Sequence, residues 1–171
     1  MDNCERVLDA YGTLVYRVCR IKLAGFDPSL ADDAYQNTFL CWIERKPDVE
    51  PGSEHERAWF VRCAVHRCTD LIRHAKRRST YEIPESAAAA DDDTGEVMDA
   101  LMKLPENYRM PLYLCGVWGY STEEAARMLD LTPAALRVRL TRARRALAKS
   151  LGLTDYLPGG KDEKNDKEEQ A

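Results

Sequence analysis

No apolar run in the 171 residues approaches the roughly 20 that cross a bilayer. The opening residues, MDNCERVLDA, have neither the basic start nor the apolar stretch of a signal peptide. The chain is therefore expected to be cytoplasmic, without membrane insertion. Glycine is sparse, at nine residues, and nowhere forms a phosphate-cradling loop. The three histidines, His55, His66 and His74, have no Ser or Cys spaced as a nucleophile partner. Neither a catalytic role nor a cofactor is expected. Six cysteines are scattered without a CxxC pair, which speaks against both a zinc ribbon and a disulfide framework. Cys63, His66 and Cys68 come nearest to a metal set, but on a helix Cys68 turns away from His66, and no metal is expected.

What the chain does have is helical periodicity. With 44% hydrophobic residues it can bury a core as one domain or two small ones, and two fit better. Val7, Leu8, Tyr11, Leu14, Val15, Val18 and Leu23 predict a helix over about 4–23, ended by Gly25 and Pro28. A second helix is expected from near Leu30 to before Pro47, with Tyr35, Thr38, Phe39 and Trp42 inward. KPDVEPGSE follows as a loop. A third helix, over about 54–78, buries Trp59, Phe60, Cys63, Ala64, Leu71 and Ile72. On its other side Arg62, His66, Asp70, Arg73 and Arg77 step by four, four, three and four, forming one exposed row. This helix holds seven Lys or Arg against three Asp or Glu, in a chain whose net charge is -4.

The composition then shifts. STYEIPESAAAADDDTGE has no convincing amphipathic period and predicts an acidic, flexible linker over 79–95, its alanine run alternatively a short helical segment. A second unit over 96–152 opens with Val97, Leu101 and Leu104. Its helix from Pro105 to about Cys115 contains Pro111, which removes the donor to the Asn107 carbonyl, so a kink or irregular turn is expected there. Ser121 with Glu124 three residues on reads as a capping box, and Thr132 before Pro133 as a second N-cap. Two helices joined by LDLT are a helix-turn-helix by spacing. The expected fold class is all-α, with two small helical domains over 1–78 and 96–152. The charged tail, 153–171, is expected to be disordered.

The second helix of that motif concentrates the charge. Leu136, Leu140, Ala143 and Leu147 share one stripe, leaving Arg137, Arg139, Arg142, Arg144, Arg145 and Lys149 to face solvent. Solvated faces usually mix signs, whereas this one carries a single sign, which points to nucleic acid. Small Ala134 and Ala135 permit close approach. Arg137, Val138, Thr141 and Arg142 are the candidates for the groove, and Arg139, Arg144 and Arg145 for phosphate.

Three stretches in this order resemble an extracytoplasmic-function sigma factor of bacterial RNA polymerase, over about residues 5–152. LADDAYQNTFLCWI resembles that family's polymerase-binding helix, with Asp33, Gln36 and Phe39 at matching positions. AWFVRCAVHRCTDLIRHAKRR resembles the helix that reads and melts the minus-10 element, matching at Trp59, Asp70, Arg73 and Arg77 or Arg78. LPENYRMPLYL, GYSTEEAARML and LRVRLTRARRAL resemble the minus-35 domain. The departures are Asn37 where the family usually has Glu, His66 where it often has Asn or Arg, and Val138 in place of a small polar residue.

The resemblance implies polymerase binding through Asp33, Gln36, Asn37 and Leu40. It implies minus-10 contacts from Arg62, His66, Asp70, Arg73, Arg77 and Arg78, with the loop before Trp59 holding an extruded base. Minus-35 contacts would come from Thr132, Arg137, Val138, Arg139, Thr141, Arg142, Arg144 and Arg145. The implied partners are core RNA polymerase, promoter DNA and an inhibitory anti-sigma factor. Two residues keep a second reading: Trp59 as core rather than stacking platform, and Asp70 as a helix salt bridge to Arg73 or Arg77. The alternative for the whole chain is a free-standing helix-turn-helix regulator, or a helical adaptor for acidic protein surfaces. The acidic linker and tail are also expected to screen the basic helices, so that deleting 161–171 raises DNA affinity at low salt.

Overall fold

The computed structural model describes residues 3–78 and 95–153. Nearly all of the expected linker and tail lie outside the described residues. Three long helices make the first unit. The helix α1, Asn3–Lys22, buries Val7, Tyr11, Leu14, Val15, Val18, Cys19 and Ile21. The helix α2, Pro28–Arg45, begins two residues earlier than the apolar pattern suggests. Pro28 opens it at the first turn behind the N-cap Asp27, whose carboxylate accepts from the Ser29 amide at 3.0 Å. A proline costs nothing there because its missing N–H would have no intrahelical partner. The helix closes at Lys46, whose left-handed backbone (φ 43°) lets its amide bond the Trp42 carbonyl.

The helix α3, Glu54–Arg77, starts at the N-cap Ser53 and packs on both others. Phe60, fully buried, is the hub: its ring lies 4.8 Å from Tyr11, 4.9 Å from Trp42, 5.4 Å from Phe39 and 5.2 Å from Trp59. Aromatic groups from three helices thus meet at one side chain, which fixes how α3 is rotated and therefore which face it leaves outside. Trp59 and Leu71 are only half-buried, not core as their spacing suggests. Trp59 sits at the rim, edge-on to Trp42 and Phe60.

The second unit holds α4 (Glu96–Lys103), α5 (Glu106–Leu112), α6 (Thr122–Met128) and α7 (Pro133–Ser150). The irregularity expected near Pro111 takes a definite form. The α-helix runs through Pro111 to Leu112 and continues as a π-helical turn over Tyr113–Val117. A wider turn absorbs the register lost where proline supplies no donor. Both predicted caps form: Ser121 and Glu124 exchange hydrogen bonds at 2.9 and 3.1 Å, and the Thr132 hydroxyl accepts from the Ala135 amide at 3.1 Å. Asp130 makes the corner between α6 and α7 with φ 54°, a conformation Asp tolerates better than most residues. Leu136, Leu140 and Ala143 are buried as the stripe requires, and Leu147 is half-buried.

The two units are not merely tethered. The helix α1 touches α5, and α3 touches α6. Lys22, nearly buried, pairs with Glu106 across the junction. Arg109, 5% exposed, donates to the carbonyls of Ala24 and Met102 at 3.1 Å, so one guanidinium bonds backbone carbonyls at the C-terminal ends of α1 and α4. Burial holds its pKa below the usual arginine value.

Candidate nucleic-acid interface

The helix α3 presents the row read from its spacing. Arg62, Asp70, Arg73 and Arg77 are exposed and His66 is half-exposed. Asp70 pairs with Arg67 at 3.6 Å rather than with Arg73 or Arg77. Asp70 lies three residues after Arg67 on the helix, within easy reach. Arg62 and His66 both reach across to Asp130 of the second unit, at 3.8 and 2.5 Å. Arg78 is the exposed C-cap of the helix.

On α7, Arg137, Val138, Thr141, Arg142, Arg144, Arg145 and Lys149 are all exposed. Val138 is a large apolar side chain left 51% exposed in a basic surface, suited to a thymine methyl. Arg137 pairs loosely with Glu123 at 3.7 Å. Thr132 is committed to its capping bond, and the Thr141 hydroxyl donates to the Arg137 carbonyl. Arg139 differs from the others: it is half-buried and lines the cavity between the two units.

On α2, Asp33, Gln36, Asn37 and Leu40 fall on one exposed face. Leu40 and, one turn on, Ile43 are 53% and 47% exposed. An apolar pair flanked by polar groups on a free helix face is suited to a protein partner.

The sequence reading missed Glu56. It is fully buried, and its carboxylate accepts from Arg6 Nη1 and Nη2 at 3.0 and 2.6 Å, from Tyr11 Oη at 2.8 Å and from the Gly52 amide at 2.7 Å. The Arg6 guanidinium, against the cost of burial, holds this carboxyl below the usual range. Burial and the Glu56 hydrogen bond push Tyr11 up to about 12. The cluster fastens the loop before α3 to α1. A signal was present: Ser53 and Glu56 have the S-x-x-E spacing of a capping box. Only half of that box forms, the Glu56 amide bonding Ser53 Oγ at 3.1 Å, because the carboxylate turns inward to arginine.

Cys63, His66 and Cys68 do not converge. Cys68 is fully buried beside Cys19, while His66 faces Asp130. Burial pushes the Cys63 thiol up to about 11, and the Cys68 hydrogen bond with burial pushes Cys19 up as well. Such thiols are poor nucleophiles.

The Sigma-70 region 2 family matches residues 7–78, and the Sigma-70 region 4 family matches residues 94–147. The RNA polymerase sigma factor CarQ of Myxococcus xanthus is 32% identical over 133 residues, covering 72% of this chain and 76% of CarQ. The chain belongs to the RNA polymerase sigma factors. The ECF sigma factor SigM of Mycobacterium tuberculosis is 33% identical over 135 residues, covering 76% of this sigma factor and 67% of SigM, which sets it in the extracytoplasmic-function group. Solved structures share the fold. The sigma factor RpoE, in a co-crystal with the anti-sigma factor NepR from Bartonella quintana, superposes with TM-score 0.65 at 21% identity, over 85% of this chain and 97% of that one. CnrH, solved with the cytosolic domain of CnrY, gives TM-score 0.58 at 23% identity, over 87% of each chain. Sigma factors are transcription initiation factors, and this one supports promoter-specific initiation with RNA polymerase. No described helix is long and apolar enough to cross a membrane. The free-standing regulator and the adaptor are therefore set aside.

Proposed function

We propose that the three exposed faces divide the work of initiation. The α2 face, with Asp33, Gln36, Asn37 and Leu40, docks on core RNA polymerase. The α3 row, Arg62, His66, Asp70, Arg73, Arg77 and Arg78, meets the minus-10 element as its strands separate. The α7 face reads the minus-35 duplex, with Arg137, Val138, Thr141 and Arg142 in the groove and Arg144 and Arg145 on phosphates. Arg139 joins them once its half-buried side chain is released, and Thr132 contributes by holding the start of α7. The working units are residues 1–78 and 96–152, and the nucleotide chemistry belongs to the polymerase. The protein works in the cytoplasm, where core polymerase and DNA are.

The observation that carries this reading is one chain bearing an exposed apolar pair on α2 and two helices, α3 and α7, that each present exposed basic side chains. Extracting a base costs a few kcal/mol, which contacts to the captured strand offset. An anti-sigma factor is proposed as a further partner, supported by the likeness to RpoE, which was solved with NepR. The test is run-off transcription from a genomic fragment library by purified core polymerase, with and without this sigma factor. New discrete start sites sharing two upstream elements are expected. No new starts, together with no co-purification with core polymerase, would remove the α2 assignment.

A further inference from the structure

The 18 residues of α7 carry six basic side chains and no acidic one. One carboxylate nevertheless stands against this face. Glu123, the second residue of α6, reaches Arg137 in the second turn of α7, Oε1 to Nη1 at 3.7 Å, and both side chains are more than half exposed. The other two carboxylates of the motif are engaged elsewhere. Glu124 closes the capping box at the Ser121 amide, 2.9 Å away, and Asp130 faces Arg62 and His66. Glu123 takes no part in either arrangement.

Resting on the assignment of α7 to the minus-35 duplex, we propose that Glu123 is a positioning residue that makes Arg137 read guanine. An unrestrained arginine on a helix in the major groove reaches a phosphate as readily as a base edge, and a phosphate contact carries no sequence information. The Glu123 carboxylate engages Nη1 and leaves the Nε and Nη2 edge free. That edge offers two parallel N–H donors, matched to guanine O6 and N7. Adenine presents its N6 amino donor where guanine presents O6, so it can accept only one of the two. The carboxylate also repels phosphates, which disfavours a swing of the guanidinium toward the DNA backbone.

The effect belongs to the complex rather than to the free protein. An exposed pair at this distance adds little to stability in water. In the groove water is displaced, the effective dielectric falls and the same attraction strengthens. The long arginine side chain is also restricted in advance, so less of its ordering cost falls on binding. Specificity is a difference between affinities. Glu123 lowers affinity for every duplex through its charge, and least for a duplex with guanine opposite Arg137. A second role must be separated from this one. Glu123 lies in the first turn of α6, where the helix dipole favours a negative charge. That role needs the charge but not the reach to Arg137.

The experiment compares the full chain as wild type, Glu123→Gln, Glu123→Asp and Arg137→Ala, each assembled with purified core polymerase. Circular dichroism and thermal melts confirm that each is folded. Selection of bound duplexes from a library randomised over the minus-35 element finds the position whose preference Arg137→Ala removes. Fluorescence anisotropy then compares the selected duplex with duplexes carrying each other base there. Wild type should prefer guanine at that position by about tenfold or more. Glu123→Gln should reduce the preference to about twofold while binding the substituted duplexes more tightly than wild type does. Glu123→Asp keeps the charge at the start of α6 but is one methylene shorter, and should lose the preference without that gain. In the Arg137→Ala background, Glu123→Gln should change base preference no further. A guanine preference intact in both Glu123 variants yet lost in Arg137→Ala would overturn the positioning role and leave α7 on the duplex. Another base preferred at that position would overturn the guanine assignment. No position altered by Arg137→Ala would overturn the groove assignment of Arg137, and the inference with it.

Discussion

Arg6 and Glu56, fifty residues apart, meet in a two-point ion pair with N–O distances of 3.0 and 2.6 Å, and the Glu56 side chain is fully buried. Arg6 keeps 27% of its side chain in solvent, but removing Glu56 leaves the Tyr11 hydroxyl and the Gly52 amide without this acceptor. Glu56→Ala should therefore lose about 2–3 kcal/mol of stability in urea unfolding at neutral pH. A loss under about 1 kcal/mol would mean that the loop before α3 is held by other contacts. The pH dependence has a definite sign. Because the folded carboxyl titrates below its ordinary value, its contribution is present above about pH 4.3 and fades as pH falls through the folded value. Glu56→Gln should lack this part of the acid transition.

Thr132 makes its contribution at one hydrogen bond, to the Ala135 amide. Thr132→Ala should cost about 1 kcal/mol and, on the proposed reading, weaken duplex binding, because the helix this cap starts carries the groove candidates Arg137 and Val138 in its second turn. Thr132→Ser should restore both. Thermal melts with duplex titration check this.

The exposed arginines toward the end of α7 act as phosphate contacts in the reading above. Arg145→Ala should lower affinity evenly across promoter sequences and reduce the slope of log K against log salt by about one. Val138→Ala should leave that slope alone and change preference at one base position. Selection of bound duplexes from a random library, repeated at several salt concentrations, separates the two effects.

Leu40 is more than half exposed, so Leu40→Asp should shift stability by no more than about 0.5 kcal/mol. Binding to core polymerase should fall by about tenfold or more, with affinity for duplex DNA unchanged. Normal polymerase binding by a folded Leu40→Asp protein would move the docking surface elsewhere.

Where apolar periodicity or capping chemistry decides the structure, the sequence was sufficient. The stripes of α1 and α7, the exposed row on α3, the box at Ser121 and the cap at Thr132 were all readable because each depends on neighbours within a few positions. Pro28 was misassigned because a proline ends one helix as readily as it begins the next. Glu56 and Arg109 escaped notice for another reason. Charged residues are presumed to be solvated, and their partners lie 50 and 85 positions away. The seam between the units was equally hidden, since ionic contacts across a junction leave no period in either strand of sequence. The faces of the candidate site could be read, but not that Arg62 and His66 on one of them also reach Asp130 of the other unit.

The left-handed backbone of Asp130 sets two properties of the protein against each other. Glycine at this corner would relieve a conformational penalty of about 1 kcal/mol, and so favour the second unit taken alone. The same change removes the carboxylate that Arg62 and His66 share. Asp130→Gly is thus a substitution for which melting temperature and compactness should diverge, the tighter corner accompanying the looser molecule.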